Sequence, residues 1–360
     1  MTDLKSILLP GIDPAAPLII AGPCSAETRE QVMDTARGLC DMGVKVFRAG
    51  IWKPRTKPGC FEGVGEEGLQ WLGMVKAETG MYTATEVANR HHVEAAVGAG
   101  VDLLWIGART TANPFAVQEI ADTLAEVGDP SMPLLVKNPV NQDIELWIGA
   151  LQRLYNAGFH RLGAIHRGFT AQGTHLYRNM PDWHIPIELH LRYPQLPIIC
   201  DPSHIGGRRE LVQSISQQAL DMGFNGLMIE SHVSPEEAWS DSRQQITPGE
   251  LGRMMGSLIV RGTSGPGDGL ELLRRQIDEI DRELLEILSR RMQVSREIGR
   301  YKREHRIPVV QSDRFNDVLR SRVAAGEEMG LNPGFLKTVL LAIHEESVGR
   351  QIDIQEDGAR

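Results

Sequence analysis

Between residues 17 and 261, eight short apolar runs alternate with amphipathic helical patterns: PLIIAG, VKVFRAG, MYTATEV, DLLWIGA, PLLVKN, HRLGAIHR, LPIICDP and GLMIESH. Strands that are nearly continuous in apolar residues are buried on both faces, as in a parallel sheet covered by helices. The segments between them, such as EQVMDTARGLCDMG and DIELWIGALQRLYNAG, carry apolar residues at helical spacing and end on a glycine that suits a left-handed cap. Eight βα units in about 250 residues is the size of one closed (β/α)8 (TIM) barrel. A doubly wound open sheet is the alternative, but the dinucleotide glycine signature expected after its first strand is missing.

The pattern changes after RGTSGPGDG at 261–269, a glycine-, proline- and serine-rich linker. One helix is expected from 270 to about 305, with Leu273, Ile277, Leu284, Leu288 and Met292 on a stripe. Shorter helices are expected near 312–325 and 333–352. The reading is therefore a barrel over 1–261, a linker at 262–269, a smaller all-α domain over 270–354 and a disordered tail at 355–360.

Composition narrows the function classes. At 41% hydrophobic and 24% charged residues the chain is an ordinary globular protein. Its net charge of −9 argues against nucleic-acid partners, which need a basic surface. The N-terminus lacks a signal-type apolar core and no run approaches membrane-spanning length, so a cytoplasmic location is expected. Only about sixteen residues precede the first strand, so any feedback control is expected from the C-terminal end. The four cysteines form no CxxC pair, which argues against a disulfide framework.

Nearly every strand run ends on an unusual residue, and in a barrel those ends converge on the face where active sites are built. Cys24, His204, Glu230 and Asp241 offer a thiolate, an imidazole and two carboxylates, a set suited to a borderline divalent metal. Arg48, Lys53, Arg55, Arg109, Lys137 and Arg167 would crowd one pocket mouth, which anionic substrates would offset. Guanidinium groups fit carboxylates and phosphates, so the substrates should carry both.

GPCS at 22–25, KPRT at 53–56, GARTT at 107–111, VKNP at 136–139, DPSH at 201–204, IESH at 229–232 and SDSRQQ at 240–245 resemble the 3-deoxy-D-arabino-heptulosonate 7-phosphate (DAHP) synthases. The resemblance spans about residues 15–261. It implies condensation of phosphoenolpyruvate with erythrose 4-phosphate on a divalent metal held by Cys24, His204, Glu230 and Asp241. Mn²⁺ is expected, with Co²⁺, Fe²⁺ or Zn²⁺ compatible with the ligand set. It further implies that Arg48, Lys53, Arg109, Lys137 and Arg167 bind phosphoenolpyruvate and that Arg55 and Thr56 hold the aldose phosphate. Lys53, with Cys24 and His204, would stand at the chemistry, Lys53 as proton donor. A sialic-acid or 3-deoxyoctulosonate 8-phosphate synthase is the rival within this chemistry, and KPRT and SDSRQQ favour the four-carbon aldose.

On the long helix Arg291 and Lys302 fall within about 20° of one face, whereas Arg274 lies about 100° away. LLRRQIDEIDRELLEILSRRMQVSREIGRYK, with SDR at 312–314 and EESVGRQ at 345–351, is similar to the all-helical chorismate mutases. That resemblance implies a homodimer through the helical domain whose site joins Arg274 of one subunit to Arg291, Lys302, Arg314, Ser347 and Gln351 of the other. Where that family commonly places acidic residues that meet the substrate hydroxyl, this chain has Gln311, which can still accept a hydrogen bond, and Phe315, which cannot, so a weakened mutase is expected. The alternative is a helical domain that only dimerises or senses an effector.

Overall fold

The computed structural model describes residues 1–53, 61–170, 176–261, 267–310 and 312–357, with the side chains of 267–272, 312–314 and 356–357 excepted. All eight apolar runs form strands: β1 (Leu18–Gly22), β2 (Val46–Arg48), β3 (Tyr82–Val87), β4 (Leu103–Ile106), β5 (Leu134–Lys137), β6 (Leu162–His166), β7 (Ile198–Cys200) and β8 (Gly226–Glu230). Each pairs in parallel with the next. β8 returns to β1 with Leu18 opposite Gly226 and Gly22 opposite Glu230, which closes the barrel.

A helix follows each strand: Arg29–Asp41, Glu67–Thr79, Arg90–Gly98, Pro114–Val127, Ile144–Asn156, His184–Arg192, Val212–Asp221 and Pro248–Ser257. Their starts are set by capping side chains. Thr28, Asn89, Asn113 and Asp143 each accept a first-turn backbone N–H, and Thr247 with Glu250 forms a reciprocal capping box.

The strands' period-2 alternation separates two cores. Ile20, Leu103, Trp105, Leu135, Ile165 and Met228 fill the barrel interior, and Ile7 and Leu9 of the N-terminal segment join them. Phe47, Leu104, Ile106, Val136 and Ile229 face the helical shell. Lys5 N–H donates to the His160 carbonyl, and the Arg161 side chain donates to the carbonyls of Ser6 and Leu8, which ties the N-terminal segment to the barrel.

The chain divides into two compact units, Met1–Arg261 and Gly262–Arg360. Among the described residues the second holds three helices, Gly267–Glu304, Ser312–Glu328 and Pro333–Asp357. The long helix starts inside the stretch expected as linker, and the last helix runs three residues into the expected tail, differences of the size at which helix ends fray. A Cβ on Gly299 would sit 3.2 Å from the Gln351 Cα, so the small residue lets the first and last helices approach closely. Among the described residues no helix is long and apolar enough to cross a membrane.

Candidate active sites

The barrel site begins with a close approach. A Cβ on Gly22 would meet the Arg48 carbonyl oxygen at 1.9 Å, so glycine at the end of β1 is what allows the Cys24 turn to lie against β2. The Arg48 side chain then donates to the Cys24 carbonyl at 3.2 Å, and Lys53 donates to the same carbonyl while its Nζ stands 3.2 Å from Cys24 Sγ.

Cys24 Sγ, a Glu230 oxygen and an Asp241 oxygen lie within 4.8 Å of one another. Three of the four expected ligands are thus gathered in one place. His204 borders them: its Nδ1 is 2.9 Å from Asp201 Oδ2, without the alignment of a hydrogen bond, and 3.8 Å from Glu230 Oε1. Glu230 Oε1 and His204 Nδ1 are buried without a hydrogen-bond partner. Orphaned buried groups of this kind are costly unless something satisfies them, and a divalent cation at the cluster fits both their sign and their donor chemistry.

Burial, with Glu230 adding to it and Lys53 opposing, pushes the Cys24 thiol up to about 12. Burial works against ionisation of Asp241 as well. The fields of His204 and Arg178 and the Arg178 hydrogen bond nevertheless hold it well below the usual carboxylate range. Glu230 is also lowered, by His204 and Arg48 against its burial. Asp241 adopts a φ of 50°, uncommon outside glycine, and Arg178 pins it at 2.9 Å while donating to Gln244 at 2.6 Å. Gln244 in turn donates to Glu230 Oε2 at 2.6 Å. Further clips join the Cys24 and Asp241 loops: Cys24 N–H to Gln245 Oε1 at 2.9 Å, Trp239 N–H to Glu27 Oε1 at 2.8 Å, and a Ser25–Ser240 hydroxyl pair.

The cations line the same mouth. Arg48 and Lys137 stand over the Trp105 ring at 4.9 and 5.9 Å. Arg48 Nε and Nη1 are buried donors without a hydrogen-bond partner, although Nη1 is 3.5 Å from Glu230 Oε1. Lys137 pairs with Asp201 at 2.7 Å. Arg167 donates to Asn179 Oδ1 at 2.8 Å, and Asn179 donates to the His204 carbonyl at 2.7 Å, which links a cation to the histidine. Burial, helped by Arg178 and Arg109, brings Arg167 down to about 10, so it remains charged at neutral pH. Arg109 is exposed at the short helix Ala108–Thr111. Arg178, Asp241 and Gln244 also border a cavity of about 970 Å³. Arg55, Thr56 and Cys60 lie outside the described residues.

Sequence reasoning passed over Asp201, Arg178, Asn179 and Gln244. Asp201 and Gln244 stand inside the quoted DPSH and SDSRQQ motifs, so a signal existed; Arg178 and Asn179 follow β6 with no pattern to mark them.

In the helical unit, Arg291, Lys302, Ser347 and Gln351 line one cavity of about 410 Å³, together with Ser295, Phe315 and His344. Arg291 donates to Ser347 Oγ, Gln351 to Ser295 Oγ at 3.2 Å, and Lys302 to the Val309 carbonyl at 2.7 Å. Burial lowers the Lys302 ammonium. Phe315 and His344 stack at 3.8 Å and 22°. Arg274 is exposed on the long helix and is not among the residues lining this cavity. Gln311 and the Arg314 side chain lie outside the described residues.

A closed eight-stranded barrel whose strand ends gather buried cations around a thiol, an imidazole and carboxylates defines a (β/α)8 enzyme with an anion-binding mouth. The chain belongs to the DAHP synthetase I family, whose model matches residues 8–259, and a chorismate mutase type II model matches residues 273–352. It therefore carries a DAHP synthase domain and a chorismate mutase domain. Phospho-2-dehydro-3-deoxyheptonate aldolase of Thermotoga maritima is 37% identical over 231 residues, covering 63% of this chain and 64% of that protein. The match thus spans just under two thirds of that relative's length. 2-Dehydro-3-deoxyphosphooctonate aldolase of Dechloromonas aromatica is 26% identical over 284 residues, 71% of this chain and 95% of that protein. A crystal structure of the Thermotoga maritima DAHP synthase matches with a TM-score of 0.63 at 32% identity, over 71% of this chain and 72% of that one. A truncated form of the synthase from the same organism gives 0.60 at 30% identity, over 71% and 90%.

Proposed function

We propose that the chain is a bifunctional enzyme of the shikimate pathway. The barrel joins phosphoenolpyruvate to erythrose 4-phosphate, giving DAHP and phosphate, and the helical unit rearranges chorismate to prephenate. The observation that carries the first half is the juxtaposition of the Cys24–Glu230–Asp241 cluster with Arg48, Lys53, Lys137 and Arg167 at one mouth.

Cys24, His204, Glu230 and Asp241 hold the divalent ion, and Mn²⁺ is the ion we favour. When bound, that ion supplies Lewis acidity to the aldehyde oxygen. Arg48, with two unpartnered buried donors, together with Lys137, Arg167, Arg109 and Lys53, takes the carboxylate and phosphate of phosphoenolpyruvate. Arg55 and Thr56 hold the aldose phosphate by virtue of the KPRT motif. The enol carbon attacks the aldehyde carbon, Lys53 delivers the proton to the new alkoxide, and water adds at C2 as phosphate leaves. The 26% identical octonate aldolase shares this logic. Assaying phosphoenolpyruvate loss with erythrose 4-phosphate against arabinose 5-phosphate separates the two readings.

For the second half, the cavity gathers Arg291, Lys302, Ser347 and Gln351. Arg291 and Lys302 clamp a dicarboxylate in its reactive conformer, and Lys302 with Gln351 stabilises the ether oxygen as that bond breaks. Arg314 is assigned to the same substrate by virtue of the SDR motif. Leu273, Ile277, Ile280 and Leu284 leave an apolar stripe more than half exposed on the long helix. A second copy of the chain would cover that stripe and bring Arg274 to the partner's cavity. Prephenate or chorismate in this cavity then provides feedback on the synthase. Chorismate consumption by the full-length protein tests the mutase half.

A further inference from the structure

The polar groups lining the helical unit's cavity divide by what they already hold. Ser347 Oγ donates to the Ile343 carbonyl at 2.7 Å and accepts from Arg291, while Ser295 Oγ donates to the Ser347 carbonyl and accepts from Gln351. Among the described lining residues, two uncharged groups keep unspent capacity. One is Gln351 Oε1, a buried acceptor without a partner; the ether oxygen assigned above takes its hydrogen bond from the second N–H of the same amide, whose first goes to Ser295 Oγ. The other is the imidazole of His344, whose contact with the described residues is the ring stack on Phe315 and which makes no hydrogen bond to them. Val294, Ile298, Val309, Val318 and Val348 make most of the remaining wall apolar.

Chorismate carries two carboxylates, an ether oxygen and a ring hydroxyl. The cations and Gln351 account for the first three. The remaining wall is largely apolar, so each water the hydroxyl gives up there needs a replacement partner. Phe315 offers none.

We propose that His344, held flat against Phe315, is the hydrogen-bond partner of the substrate hydroxyl. This rests on the chorismate reading of the helical unit. The stack fixes the imidazole plane, so the aromatic residue at 315 acts by orienting the group that does bind. Burial, assisted by Arg291 and Lys302, lowers the His344 pKa below the ordinary histidine range, which keeps the ring neutral at pH 7 and able to accept or donate. Arg291 and Lys302 face it from the long helix. Phe315 and Val318, the described lining residues of the middle helix, carry no charge.

The test is chorismate kinetics with the full-length protein, comparing His344→Leu and His344→Gln with the parent chain, each checked by thermal unfolding. His344→Leu should lose roughly tenfold or more in kcat/KM, mainly through KM, and His344→Gln should stay within about threefold. With a chorismate analogue lacking the ring hydroxyl, the parent and His344→Leu should be equal. An unchanged His344→Leu, or an equal loss with the hydroxyl-free analogue, overturns the proposal. Absence of chorismate turnover in the parent chain would instead overturn the mutase reading. If His344→Leu does not fold, the pH profile decides. The parent should lose kcat/KM on an acid limb lying below the ordinary histidine value, as the imidazole charges, and His344→Gln should lack that limb. A limb present in both overturns the proposal.

Discussion

Asp201 and Lys137 form a 2.7 Å ion pair in which neither side chain is more than 5% exposed. Buried pairs contribute little net stability as pairs, but removing one partner strands the other charge. Asp201→Asn should therefore destabilise the barrel by about 3–5 kcal/mol, read by chemical denaturation. Burial opposes ionisation of Asp201, yet His204 and Lys137 hold it well below the usual carboxylate range. A depressed carboxylate adds stability that is full above its unfolded value of about 4 and is lost as pH falls below it. Asp201→Asn should flatten that acid limb; an unchanged acid limb would remove this assignment.

The Cys24 thiol, pushed up to about 12, is protonated at neutral pH until a cation displaces its proton. Metal binding should then release a proton and strengthen as pH rises from 6 to 8. Calorimetry of Mn²⁺ binding in buffers of different ionisation heat measures this directly. Cys24→Ala should bind Mn²⁺ at least about 10-fold more weakly and release no such proton.

Gly22→Ala introduces a Cβ 1.9 Å from a backbone oxygen at a φ of 153°. The carbonyl belongs to a strand and cannot yield as a flexible side chain would. Destabilisation of about 1–3 kcal/mol is expected, together with a raised KM for phosphoenolpyruvate because Arg48 shifts. Equal KM values in the two proteins would detach Gly22 from the site.

The strands were readable because parallel barrel strands are buried on both faces and leave continuous apolar runs; even three-residue β2 and β7 were marked by their flanks. The gathering of Cys24, Glu230 and Asp241 was readable because strand ends must converge. What the sequence hid were partners distant along the chain. Lys137 meets Asp201 across 64 positions and Arg178 meets Asp241 across 63, and no periodicity encodes either pairing. At residue 315 the sequence showed a missing acceptor, but only the packing of the last helix reveals the imidazole against that ring.

If the helical cavity feeds back on the barrel, prephenate should slow phosphoenolpyruvate consumption by the parent chain and not by Arg291→Ala. Steady-state rates with and without prephenate decide it; identical rates would leave the helical unit a second catalyst without control over the first.

The most direct test runs two assays on one full-length protein: phosphoenolpyruvate loss with erythrose 4-phosphate and Mn²⁺, and chorismate loss. Both activities are expected, the first abolished by Cys24→Ala with the second retained, and the second abolished by Arg291→Ala with uninhibited synthase activity retained. No phosphoenolpyruvate loss with erythrose 4-phosphate, or chorismate turnover that survives Arg291→Ala, would contradict it.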